Sequence, residues 1–125
     1  MVLTFLQSLF LVLVLIFTTT LSPALANEQT FQEQIFQEQA SQGQGAKVFD
    51  LYCAGCHGNG GNIVRRGKNL KLPALKRNGM DSIATIGELV KNGKNNMSAY
   101  GDRLSEGEIQ AVAAYVLQRA NQDWR

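Results

Sequence analysis

The residues with the most specific chemistry in this chain are Cys53-Ala54-Gly55-Cys56-His57, a C-x-x-C-H run, the signature of covalent c-type haem attachment. The spacing has a physical reason. On one helical turn the two thiols can reach the two vinyl groups of a haem and form thioethers, while the adjacent imidazole faces the iron. The chain holds two cysteines and one histidine in all, so His57 has no competitor as proximal ligand. A zinc site needs about four ligands, and no second Cys pair or second His exists to complete one. A thioredoxin-like pair needs a βαβ setting, which the surrounding helical pattern does not supply. A plain disulfide between the two cysteines is the alternative that remains.

The opposite face of the iron decides between electron exchange and ligand chemistry, because an open position binds peroxide, oxygen or small ligands. Three methionines are present. Met1 begins the chain, and Met80 stands before Asp81 at an expected helix entrance, where it packs as core. Met97 lies in KNGKNNMSAYGDRLS, a loop free to lay a thioether over the iron from the side opposite His57. It is the expected axial ligand.

Helices must position these groups. The first is expected from about Gln44 to His57, with Gly45, Val48, Phe49 and Tyr52 on its packed side. GNGGNIVRRGKN (58–69) breaks periodicity and reads as an Ω-like loop over the haem edge. Pro73 suits the start of a short helix to about Asn78. Asp81 is the expected cap of a third helix to about Lys91, with Ile83, Ile86, Leu89 and Val90 at helical spacing. Ser105-x-x-Glu108 is a capping box opening the last helix, whose stripe is Ile109, Val112, Ala113, Val116 and Leu117. Gly45 would let Tyr115 approach where the first and last helices cross, with Phe49 against Val112 and Val116. No alternating strand pattern of useful length is found, so the expected class is all-α.

The 125 residues carry a formal charge of +2 and are 45% apolar, enough for one small domain and too short for a multidomain enzyme. The apolar share is concentrated at the start. Residues 1–26 contain no Asp, Glu, Lys, Arg or His. Leu9–Phe17 followed by Ala24-Leu25-Ala26 reads as a signal peptide cleaved after Ala26, although its first residues lack the usual Lys or Arg. An uncleaved anchor is the alternative, since Val2–Leu21 nearly reaches the length of a membrane span. Residues 27–42, NEQTFQEQIFQEQASQ, are Gln-rich with three acids and no base. They read as a linker, although Phe31, Ile35, Phe36 and Ala40 would share one helical face. The expected domain is therefore 43–125, in which 12 basic residues stand against 7 acidic ones, a formal +5. Its modest apolar content fits a core partly filled by haem, so the apoprotein is expected to be largely unfolded.

From Gly43 to Trp124 the chain resembles the class I c-type cytochromes, and among them the cytochrome c6 family of cyanobacteria and algae. CAGCH at 53–57, NGKNNM at 92–97 and GDRLSEGEIQAVAAYVLQRANQDW at 101–124 carry the resemblance, with 40 residues from His57 to Met97 and a terminal Trp124. It implies about four helices around one covalently bound haem c. It further implies a soluble carrier of the thylakoid lumen or periplasm, between a cytochrome b6f-type donor and photosystem I or a terminal oxidase. Family haem contacts matched by position are Asn62, Lys68 near a propionate, and Leu70. Many photosynthetic members have Gln eight residues before the axial Met, where this chain has Leu89. Apolar residues there occur in lower-potential relatives, because a nearby amide dipole tunes the iron.

The sequence thus points to an electron carrier rather than an enzyme. Its partners would be transient, as is usual for small redox encounters. Arg65, Arg66, Lys68, Lys71, Lys76 and Arg77 are candidates for steering toward an acidic or neutral docking face; a generically solvated basic surface explains them equally well. An exported chain without a recognition motif is not expected to bind nucleic acid, nor a membrane once the signal is removed. A small haem peroxidase or ligand sensor would require Met97 to stay off the iron, and a membrane-tethered cytochrome subunit would require residues 1–26 to be retained.

Overall fold

The computed structural model describes residues 23–125; residues 1–22, which hold most of the expected export segment, lie outside them. Five α-helical segments follow one another: α1 Pro23–Tyr52, α2 Ala54–His57, α3 Leu72–Arg77, α4 Ile83–Asn92 and α5 Glu106–Asn121. Single 3-10 turns occupy Gly58–Gly60 and Arg66–Lys68. Among the described residues there is no strand, only an isolated antiparallel bridge between Lys94 and Met97. The all-α class expected from periodicity is observed. No helix of the described residues is long and apolar enough to cross a membrane.

Two helix starts differ from expectation. α1 does not begin near Gln44 but at Pro23. The reason is local: residues 27–42 are mostly Gln, Glu and Ala, which lose little side-chain freedom in a helix, and no Gly or Pro interrupts them. The chain divides into two units, up to Gln37 and from Glu38 onward. In the first, Phe31 and Phe36 are exposed on the helix. The second start is that of α4, whose cap is Ser82 and not Asp81. Ser82 is extended, and its hydroxyl accepts the Thr85 backbone N–H at 3.2 Å, so Asp81 stands one residue too early to satisfy that donor. Ile83, expected on the apolar stripe of α4, is 39% exposed.

The helix expected over Gln44–His57 is divided at Cys53. Its N–H still donates to Phe49 O at 2.8 Å, and its carbonyl accepts from both Cys56 (3.1 Å) and His57 (2.9 Å). The turn holding the C-x-x-C-H residues is therefore continuous in hydrogen bonding with α1. α1 crosses α5 where Gly45 lies against it. A Cβ at Gly45 would run into the Ala111 carbonyl and lie 2.8 Å from Tyr115 Cβ, so only glycine permits this approach. Phe49 then stacks tilted on Tyr115 and on Trp124, at centroid distances of 5.4 and 5.2 Å.

α5 starts with the capping box as expected. Ser105 Oγ accepts the Glu108 N–H at 3.3 Å, while Glu108 Oε2 accepts the Ser105 N–H at 2.9 Å. The Ser105 N–H, and secondarily the Ser105 hydroxyl donating to Oε2 at 2.8 Å, hold the Glu108 carboxyl below its ordinary range. Behind this cap Ile109, Val112, Ala113 and Val116 are buried with Val48, Phe49, Leu75, Ile86 and Val90. Burying such side chains contributes roughly 1.5–3 kcal/mol each. The core is one-sided, and its other boundary is a cleft.

Candidate haem site

A cleft of about 240 Å³ is bounded by every α-helical segment from residue 49 onward and by the three loops between them. α1 contributes Phe49, and the C-x-x-C-H turn contributes Cys53 and His57. The 58–70 loop brings Asn62, Val64, Arg65, Lys68 and Leu70, and α3 brings Leu75; α4 brings Ile86, Leu89 and Val90; the following loop brings Lys94 and Met97; Val112 and Val116 of α5 form the back. The chain's one imidazole and the thioether of Met97 are thus on the walls of a single cleft. Met80, expected as core at a helix entrance, packs against the core and also lines this cleft.

His57 is oriented by its own loop. Nδ1 lies 2.9 Å from the Gly61 carbonyl. A carbonyl can only accept, so Nδ1 carries the proton and the Nε2 lone pair is left for a metal. Cys53 is half-buried; burial, and secondarily the neighbouring Cys56, pushes its thiol up to about 11. Cys56 is free and exposed one turn further on and is not among the cleft-lining residues.

The site residues expected from family position are brought together. Asn62 Nδ2 donates to the Lys68 carbonyl at 3.0 Å, and its Oδ1 accepts the N–H groups of Val64 (3.0 Å) and Arg65 (2.7 Å). Asn62 therefore builds the loop as well as lining the cleft. Lys68 Nζ donates to Asn78 Oδ1 at 2.5 Å. Leu70 closes the loop through its N–H to Gly60 O (2.8 Å), and its own carbonyl accepts the Trp124 indole N–H at 2.9 Å. Leu89 is half-buried on the cleft.

Sequence reasoning did not assign Asn78 or Phe49 to the site. Asn78 follows α3, where its side chain also donates to Ala74 O at 2.7 Å. The only signal was the position of an amide directly after a helix. Phe49 was legible as core, and the cleft begins at the same ring.

These residues fit a haem. An apolar cleft, one imidazole with a free lone pair, a thioether on a facing loop and two cysteines at C-x-x-C spacing suit a macrocycle attached at one edge. A bare ion is a poor alternative, since no group of three or more His, Cys, Asp or Glu residues among the described ones could hold it.

Comparison with known proteins agrees. Residues 40–116 match the family described as "Cytochrome C oxidase, cbb3-type, subunit III". A "Cytochrome c6-like" protein of Nostoc sp. is 63% identical over 81 residues, covering 65% of this chain and 73% of that one. The chain belongs to the c6-like class I cytochromes. Among solved structures similar to this c6-like cytochrome is cytochrome c6C from Synechococcus sp., 63% identical with a TM-score of 0.64, covering 65% of this chain and 99% of the other. Cytochrome c6 from the diatom Phaeodactylum tricornutum is 41% identical with a TM-score of 0.65, covering 66% of this chain and 98% of its own. The cofactor of this c6-like cytochrome is one covalently bound haem c, and its activity is electron carriage rather than catalysis.

Proposed function

We propose that Cys53 and Cys56 hold the haem by thioethers, that His57 and Met97 are its axial ligands, and that the chain is a soluble carrier shuttling single electrons between protein partners. The haem, when bound, supplies the Fe(III)/Fe(II) couple. The observation that carries this reading is the shared cleft: His57, with its Nε2 free, and Met97, on a separate loop, both line it. The protein's part is to keep both ligands in place in either oxidation state, to exclude water with Phe49, Ile86, Val90, Val112 and Val116, and to leave one edge reachable beside exposed Cys56.

The donor we propose is a cytochrome b6f-type complex and the acceptor photosystem I or a terminal oxidase, in the thylakoid lumen or periplasm. Residues 1–26 would serve as a signal peptide removed after Ala26 and residues 27–42 as an extension ahead of the 43–125 domain. Arg65, Arg66, Lys76 and Arg77 are exposed and make no ion pair, while Lys71 reaches Asp123 only at 3.9 Å among the described residues. That open positive charge supports steering toward an acidic partner, which raised ionic strength would weaken. Leu89 in place of an amide supports a potential at the lower end of the family's range.

The test is the ferric spectrum of the purified holoprotein beside Met97→Ala, with intact mass. Wild type is expected to show the methionine-to-iron charge-transfer band and a mass equal to the chain from Asn27 plus one haem. Met97→Ala is expected to lose the band and to lower the midpoint potential, since Met/His ligation raises it. A wild-type protein without the band, or one that binds imidazole as readily as Met97→Ala, would overturn the ligand assignment.

A further inference from the structure

We propose that Gly93 is the positioning residue for Met97, an inference that rests on Met97 being the axial ligand. Gly93 directly follows α4, and its N–H donates to Leu89 O at 2.8 Å. Its backbone is at φ 66, ψ 174, a conformation open essentially to glycine alone; even Asn, which tolerates the left-handed helical region, does not favour it. The space around Gly93 is closed as well. A Cβ there would lie 2.6 Å from both Met97 O and Ala99 N and 2.8 Å from Ser98 C. These are backbone atoms of the ligand segment itself, so no side-chain rotation can relieve the contact.

The rest of the segment is built on that approach. Lys94 N–H donates to Met97 O at 3.0 Å and Met97 N–H to Lys94 O at 3.1 Å, closing a tight turn whose Asn95 is at φ 54. Tyr100 and Gly101 then donate their N–H groups to Val90 O and Lys91 O, both at 3.0 Å. These are carbonyls of the last turn of α4, left without partners inside the helix. The methionine segment is thus folded back onto the C-terminus of α4, with Gly93 as the point over which it passes. Among the described residues none of the side chains of 94–98 makes a hydrogen bond, so the path of the segment is set by its backbone, while the Met97 side chain packs against the core. A side chain at Gly93 must push residues 97–99 away from α4, while Ile86, Leu89 and Val90 keep their places on the cleft.

Gly79 provides a control for a positive φ without a close approach. It has the same φ of 66, but a Cβ there meets nothing within 4 Å. Gly93→Ala and Gly79→Ala therefore both place a side chain at a positive φ, and only the first drives a Cβ into the ligand segment. In the ferric holoproteins, Gly93→Ala is expected to lose at least half of the methionine-to-iron band and to bind imidazole about tenfold more tightly than wild type, a factor within reach of the usual cost of backbone strain. Gly79→Ala is expected to keep the band and the wild-type imidazole affinity while melting at a lower temperature. A Gly93→Ala protein with the wild-type band and imidazole affinity overturns the proposal, as does equal loss of the band in Gly79→Ala.

Hydrogen exchange in the wild-type holoprotein decides the matter even where Gly93→Ala does not fold. The amides of Gly93, Lys94, Met97, Tyr100 and Gly101 are expected to be protected together. Rapid exchange at Lys94 and Met97 in a protein that still shows the band would mean that the haem holds the segment rather than the turn, and would sink the idea. A wild-type protein lacking the band is a different result, since it removes the ligand assignment and leaves the turn unaffected.

Discussion

The two longer loops that wall the cleft are held by different kinds of bond. Residues 58–70 are held largely by side chains: Asn62 makes three hydrogen bonds inside the loop, Lys68 reaches Asn78, and Trp124 reaches Leu70. Residues 93–99 are held mainly by backbone bonds and by the absence of a side chain at Gly93, with one side-chain donor, Arg103 Nη2, reaching Ala99 O at 3.0 Å. A single truncation can therefore remove a support from the first loop. In the second, most truncations remove nothing, and the damaging change is an addition. The 58–70 loop is built by residue identity, whereas the loop carrying Met97 is built by chain path.

Removing the haem should have the largest effect and should erase the contrast. Both loops face a cleft whose apolar wall, Phe49, Ile86, Val90, Val112 and Val116, would be left facing water. The apoprotein is expected to lose cooperatively melting helix by circular dichroism, because cofactor binding and folding are coupled. Apoprotein with a native-like cooperative melt would show that the two loops and the core stand alone.

A smaller effect separates the loops directly. Asn62→Ala is expected to destabilise the holoprotein by about 2 kcal/mol through its lost hydrogen bonds. Asn96→Ala and Ser98→Ala, whose side chains make none, should stay within about 0.5 kcal/mol of wild type. Denaturant melts of the three variants provide the check, and equal losses in both loops would break the comparison.

The smallest structural change expected is that of Leu89→Gln. Leu89 lends its carbonyl to Gly93 N–H and its side chain to the cleft, so the substitution alters cleft polarity while leaving the bonds of both loops in place. The midpoint potential is expected to rise with the methionine-to-iron band unchanged. A fall, or no change, would show that polarity at this position does not set the potential.

Much of the site is legible in the amino-acid sequence, because its chemistry is local. The Cys53, Cys56 and His57 spacing is a property of one helical turn, and the Ser105-x-x-Glu108 box likewise needs only neighbours in sequence. Met97 is reached by elimination among three methionines. The crossing at Gly45 is legible because a missing Cβ beside Phe49 has few other uses. Less of the boundaries can be read. α1 runs through the Gln-rich segment because helix-forming side chains outweigh low complexity, and Ser82 rather than Asp81 caps α4 because one residue of register decides which oxygen meets the Thr85 N–H.

The amino-acid sequence by itself determined the cofactor, the all-α class and the small set of residues proposed to attach and ligate the haem, since each rests on residue types at short spacing. Only the tertiary structure decided how those parts hold together. Trp124 reaches Leu70 across 54 residues, Asn78 meets Lys68, and the chain from Met97 to Ala99 passes directly over Gly93. The first joins segments that come together only when the helices pack, and the other two follow from the path each loop takes between its helices. They depend on backbone paths and directions in space, which no periodicity or motif encodes.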